Sequence, residues 1–306
     1  MRLVSYRARP DAPGWRAGIE VGDHVVDTRT LASRLGWSPD AVAATGGNRG
    51  VVALPPEDLL ALEKAAADVV HALGTGEGVH DRGAVRLGPP VPDPQKIVCL
   101  GLNYRDHAEE SGLEPPPVPL FFAKFANSLT GPDDDIVPPT LTEKVDYEAE
   151  LAVVIGRRGR HVPQDRALDH VAGAMALNDV SARDLQNATS QWTAGKAIDT
   201  FAPCGPALVT LDALGDLHAL GVRARVNGRT VQDGTTASMI FPIPRVIAYL
   251  SQLMTLEPGD VIATGTPAGV GQSRRPPLFL GPGDVVEVEI DGIGCLRNTV
   301  REGVGP

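Results

Sequence analysis

Glu148 and Glu150 stand two residues apart at the head of an apolar run, KVDYEAELAVVIG, from Lys144 to Gly156. If that run is a strand, alternation puts both carboxylates on one face, followed there by Ala152 and Val154, while Ala149, Leu151, Val153 and Ile155 fill the other. A strand buried on both sides leaves its acidic end in need of a partner. Two carboxylates about 4 Å apart repel by roughly 4 kcal/mol at an effective dielectric of about 20. The pair must therefore face water as an ordinary strand end, take up a proton, or share a cation. Asp179 follows an apolar strand in GAMALNDVSARDLQ, at a carboxyl end where ligand-binding groups gather in mixed folds; a turn or capping role is equally open. His107 and Glu110 in YRDHAEESG lie three apart, on one face of a helical turn. A carboxylate so placed holds an imidazole in one tautomer and strengthens it as a base. A surface ion pair and a pair of metal ligands are the other two readings. Lys196 sits among small residues in WTAGKAIDTFAPCGP, where a cation can meet a substrate, and Lys124, on a strand in PLFFAKFANS, is a further substrate-binding candidate. In DVIATGTPAGVG, Thr264, Thr266 and glycine amides can cradle a carboxylate. That loop lacks the lysine of a phosphate-binding loop and the spacing of a dinucleotide fingerprint.

Positioning these groups requires a strand-rich scaffold with short helices, an α+β chain rather than an alternating βαβ one. Residues 1–92 read as a small N-terminal α+β unit, with strands at Arg2–Ala8, Trp15–Val21 and His24–Asp27 and a helix at Pro56–Leu73 that stops at Gly74. The proline-rich GPPVPDPQ links it to a second region, 93–306. There a strand in KIVCLGLNY breaks at Gly101, PQDRALDHVA gives a short helix, and VRARVNGRTVQDG is a hairpin turning at Asn227-Gly228. PIPRVIAYLSQL is a helix; DVIATG, DVVEVEI and CLRNTV are strands. Asp133, Asp134 and Asp135 lack calcium-loop spacing and are expected to be solvated. A chain of 306 residues, 42 % hydrophobic and 22 % charged, is that of a globular protein with real cores. Its net charge of −10 argues against nucleic acid or an anionic membrane as partner. The absence of an apolar run of about 18 residues, and of a signal-peptide core, leads to the expectation of a cytoplasmic protein. Cys99, Cys204 and Cys295 are expected to be reduced and buried.

GLNYRDHAEE, YEAELAVVIG, NDVSARDLQ, WTAGKAIDTFAPCGP and ATGTPAGVG resemble, in order and context, the motifs of the fumarylacetoacetate hydrolase family, over Lys96 to the C-terminus. The resemblance implies a mixed β-sandwich-like roll, a homodimer, and a magnesium or manganese ion held by Glu148, Glu150 and Asp179. It makes His107 and Glu110 the pair that activates water, on a segment that closes over substrate in relatives. Lys196 and Gln186 become the groups that stabilise an oxyanion, Thr266 a binder of the substrate carboxylate, and Arg183 a further group of the same pocket. Leu102 departs from the arginine that acylpyruvate-cleaving members often carry there. A hard divalent ion suits three carboxylates, and as a Lewis acid it would favour the enolate of a 2-oxo acid. The expected reaction is hydrolysis of a carbon–carbon bond in a 2,4-dioxo acid. Isomerisation of 2-hydroxyhepta-2,4-diene-1,7-dioate and decarboxylation of an oxo acid would use the same machinery, and a carboxylate-binding protein without turnover is the remaining class.

Overall fold

The computed structural model describes residues 1–9, 12–73 and 76–303; the helix stop expected at Gly74 lies outside them. The run that holds the two glutamates forms the Ala149–Ile155 strand, every residue of it buried. It pairs antiparallel with Val171–Asn178 on one side and with Val261–Ala263 on the other. Val261–Ala263 runs parallel to Ile97–Gly101, which pairs in turn with Leu120–Lys124. On the opposite flank come Ala202–Thr210 and then the N-terminal strands Arg2–Arg7, Arg16–Val21 and His24–Asp27, so the region expected at residues 1–92 extends the same sheet. Twelve strands make this sheet among the described residues. A second sheet of four, Arg229–Thr235, Gly221–Val226, Val285–Ile290 and Gly294–Thr299, faces it, and neither closes into a barrel. Asn227 and Gly228 both take positive φ, 51° and 77°, as the expected two-residue hairpin turn requires.

Alternation along the glutamate strand separates two cores. Leu151, Val153 and Ile155 join Val222, Val286, Val288 and Ile290 of the small sheet. Ala152 and Val154 belong to a second cluster that includes Leu62 and Ala66 of the Pro56–Leu73 helix and Val51 of a shorter one. Glu148 and Glu150 are in phase with this second face, so the acidic end is enclosed rather than solvated. Three short helices, Thr28–Arg34, Pro39–Ala44 and Asn48–Val52, escaped the sequence reading because none holds two full turns of apolar repeat.

Two expectations are corrected. Asp134 is not solvated: it accepts from the Thr130 hydroxyl (3.1 Å) and the Gly131 amide (2.9 Å) and pairs with Arg86 at 2.7 Å, closing a turn. Cys99 and Cys204 are buried, but Cys295 is exposed, because Leu296 and Asn298 take the inward positions of its strand.

Candidate active site

Register brings the acids together. Ala149 opposes Asn178 across the sheet, which sets Glu148 beside Asp179; the Asp179 amide donates to the Glu148 carbonyl at 2.9 Å, and the Glu148 amide to Asn178 Oδ1 at 3.0 Å. One carboxylate oxygen from each of Glu148, Glu150 and Asp179 lies within 4.8 Å of the other two. These residues are 6 %, 1 % and 0 % exposed, so their charges are answered by protein groups rather than by water. Lys196 Nζ reaches Glu148 Oε2 (2.7 Å) and Asp179 Oδ2 (2.8 Å). Lys124 Nζ reaches Asp179 Oδ1 at 2.8 Å from beneath. Arg183 lies 2.6 Å from Glu148 through Nη2 and 2.8 Å from the buried Asp146 through Nε, and donates to Gln186 Oε1 at 3.0 Å.

Four carboxylates, Asp146, Glu148, Glu150 and Asp179, thus meet three cations, leaving one negative charge in excess. Glu150 is where a negative charge is least favourable: burial, with Asp179 and Glu148 beside it, pushes its carboxyl well above the usual range. Burial opposes the ionisation of Glu148 too, but the Lys196 ammonium and the Arg183 guanidinium outweigh it and hold that carboxyl below the usual range. An oxygen-only donor set with an uncompensated charge fits a hard divalent ion such as magnesium or manganese, which would turn the excess of −1 into +1 and so suit an anionic ligand.

The Arg105–Ser111 helix carries His107 and Glu110, ending at Gly112 in the left-handed region (φ 65°). His107 Nδ1 faces Glu110 Oε2 at 3.7 Å, an ion-pair distance too long for a hydrogen bond. The helix is fastened to the glycine loop: the Gly269 amide donates to Glu110 (2.9 Å) and the Ala268 amide to Asp106 (3.3 Å). The same loop gives its Gly265 amide to Glu150 (2.9 Å) and its Gly271 amide to Asp146 (2.7 Å). Gly265 is required here, since φ is +94° and a Cβ would lie 2.9 Å from that of Asn103. The loop expected to cradle a substrate carboxylate therefore holds four of the chain's own acids.

A cavity of about 330 Å³ opens above these groups, and His107, Glu110, Glu148, Glu150, Arg183, Gln186, Lys196 and Thr266 all line it. Lys124, expected at the substrate, does not: its ammonium faces Asp179 and the carbonyls of Val180, Lys196 and Phe201, four acceptors for three N–H groups. Its role is support of Asp179. The Thr266 hydroxyl donates to the Ala149 carbonyl (2.9 Å) and accepts from Gln232 Nε2 (2.8 Å), so its proton is already engaged. Gln186, its oxygen taken by Arg183, keeps its amide N–H groups for a ligand. Asp146 and Gln232 were missed in the sequence. Asp146 sits one strand step before the glutamates, yet nothing local marks its pairing with Arg183 and the Gly271 amide.

The fold and this cavity define the class, and the chain belongs to the fumarylacetoacetate hydrolase family, whose C-terminal domain description, Fumarylacetoacetate (FAA) hydrolase C-terminal, matches residues 96–301. Along nearly its whole length the chain is similar to the human protein named oxaloacetate tautomerase FAHD2A, mitochondrial: 45 % identical over 304 residues, 98 % of this chain and 91 % of the relative. Among solved structures it is similar to a putative HpcE protein from Mycobacterium smegmatis (38 % identity, TM-score 0.82, 99 % of this chain and 100 % of that one). It is also similar to the maleylpyruvate hydrolase of Sphingobium sp. SYK-6 in complex with manganese(II) and pyruvate (31 % identity, TM-score 0.76, 99 % and 100 %). No helix among the described residues is long and apolar enough to cross a membrane.

Proposed function

We propose that this chain is a divalent-metal-dependent tautomerase of small 2-oxo acids of the oxaloacetate class, interconverting keto and enol forms. The observation that carries the reading is the opening of Glu148 and Glu150, two members of the carboxylate triad, and of His107 into one cavity of about 330 Å³, at the small end of the roughly 300–1,000 Å³ typical of ligand sites. The 45 % identity with a whole-length relative named for oxaloacetate tautomerisation supports the substrate class. A metal held by Glu148, Glu150 and Asp179 would supply Lewis-acid stabilisation of negative charge on the oxygen at C2. His107 takes a proton from C3 of the keto acid, the C–H electrons form the C2–C3 double bond as the C2=O π electrons move onto oxygen, and that oxygen takes a proton from water while His107 returns its own to solvent. Glu110, facing Nδ1 at 3.7 Å, places a carboxylate beside the imidazolium that this transfer forms. Gln186 presents N–H donors to the ligand, and Lys196 holds two of the three ligands in place. Magnesium or manganese is the proposed ion, a homodimer the proposed assembly, and the cytoplasm the proposed compartment, beside a human relative named mitochondrial.

Hydrolysis of a carbon–carbon bond in a 2,4-dioxo acid is the second reading, favoured by the His107 and Glu110 pair that can activate water and by the likeness to maleylpyruvate hydrolase. The decay of enol-oxaloacetate, followed by its ultraviolet absorbance with magnesium present, separates them. Acceleration with no acid released is expected. No acceleration, together with release of two acids from a 2,4-dioxo acid and ¹⁸O from labelled water in the new carboxylate, would replace the tautomerase with the hydrolase.

A further inference from the structure

Three cationic side chains line the cavity, and they differ in what they touch. Lys196 and Arg183 are buried and fully engaged by Glu148, Asp179 and Asp146. Arg275 is exposed, its guanidinium donates only to the carbonyl of Arg274 (3.0 Å), and it has no acidic partner among the described residues. The neighbouring Arg274 is not equivalent, since it is committed to the Tyr147 hydroxyl and the Gly269 and Val231 carbonyls. Leu100, Leu102, Leu113, Phe122 and Trp192 form the apolar part of the lining, with the uncharged Ser111 and Asn187 also on it. The glycine-loop amides are taken by the chain's own carboxylates. Arg275 is thus the positive group at this mouth that remains for a ligand.

The segment that carries it is anchored at its start by one residue. Asp146 accepts from the amides of Gly271 (2.7 Å) and Gln272 (3.1 Å) while pairing with Arg183, so the segment leading to Arg275 and the side chain touching Glu148 share an anchor. Gln272 and Ser273 line the cavity on the same segment and add an amide and a hydroxyl. A planar guanidinium that meets a carboxylate through two parallel N–H bonds is the group best suited to recognise one.

We propose that Arg275, with Gln272 and Ser273, forms a subsite for the distal carboxylate of a dicarboxylic oxo acid, and that it sets a preference for diacids over monoacids. This rests on the proposed reading of the cavity as an oxo-acid site and names the residue that selects within that class. The test uses magnesium-loaded protein and two unreactive 2-hydroxy acids, malate and lactate, which differ by one carboxylate, titrated by calorimetry. Wild type binds malate more tightly by about tenfold or more, the scale of a hydrogen bond to a charged group. Arg275→Gln loses that preference while lactate affinity stays within about twofold, Arg275→Lys recovers part of it, and Arg275→Gln raises KM for oxaloacetate. A malate preference that survives in Arg275→Gln, or its absence from wild type, overturns the subsite. Neither ligand turns over, so the two proposals fail separately: a preference lost in Arg275→Gln without acceleration of enol decay sustains the subsite and overturns the tautomerase alone.

Discussion

At the floor of the cavity and just beneath it, Glu148, Glu150, Lys196, Asp179 and Lys124 are all at least nine-tenths buried, and each is held by a charge or an amide of the chain. At its rim, Leu113 is 53 % exposed and Arg275 has no acidic partner among the described residues. Removing Lys124 or Lys196 leaves carboxylates with uncompensated charge in a low dielectric, so the ion-paired groups of the floor depend on one another. Groups at the rim touch little besides a ligand, and changes there alter which acid fits without disturbing the fold. On the proposed reading, the chemistry falls to the floor and to His107, and selectivity to the rim.

The largest effect that would sharpen this contrast comes from the ligands themselves. Glu148→Gln, Glu150→Gln and Asp179→Asn are each expected to lower turnover by about 10³-fold or more, since Lewis-acid stabilisation is worth several kcal/mol; near-wild-type rates in steady-state assays with excess magnesium would break it. Next comes Lys196→Met. In metal-free protein it leaves Glu148 and Asp179 short of a partner, a loss of about 3–5 kcal/mol, and bound metal should restore much of it; melting with and without magnesium checks both. His107→Ala is expected to cost about 10²-fold in turnover while metal uptake is kept, as for the loss of a general base; comparing rate with calorimetric affinity separates the two.

A smaller effect follows from Glu150. Its carboxyl is raised by burial and by the neighbouring Asp179 and Glu148, so the metal-free protein holds a proton there that binding must displace. Metal affinity should therefore climb with pH, by up to about tenfold per unit, until Glu150 is ionised without metal, and then level off. Affinities measured at a series of pH values should show this slope in wild type, and an affinity independent of pH would contradict it. Smallest is Leu102→Ala at the rim, which should change KM by no more than a few-fold and leave metal affinity alone; a large loss of metal binding would place Leu102 with the floor.

What could be read from the sequence follows the same division. Alternation alone put Glu148 and Glu150 on the face of Ala152 and Val154, and helical spacing put His107 beside Glu110, because both patterns are local. The strands and the Asn227-Gly228 turn carried similar local signals. Lys124 read as a substrate group because nothing near it shows that Asp179 and three carbonyls lie around its ammonium. Asp146 and Gln232 went unread for the same reason: their partners, Arg183 and Thr266, come from other strands and loops. The glycine loop offered amides in the sequence, but only the folded chain reveals that its own acids take them.

The central claim, that the buried acids form a divalent-cation centre, is tested most directly by titrating magnesium or manganese calorimetrically into chelator-stripped protein. The expected result is uptake of about one ion per chain, with proton release, and loss of that uptake in Glu150→Gln. Wild type that takes up no ion, or Glu150→Gln that binds one as tightly as wild type, would contradict it.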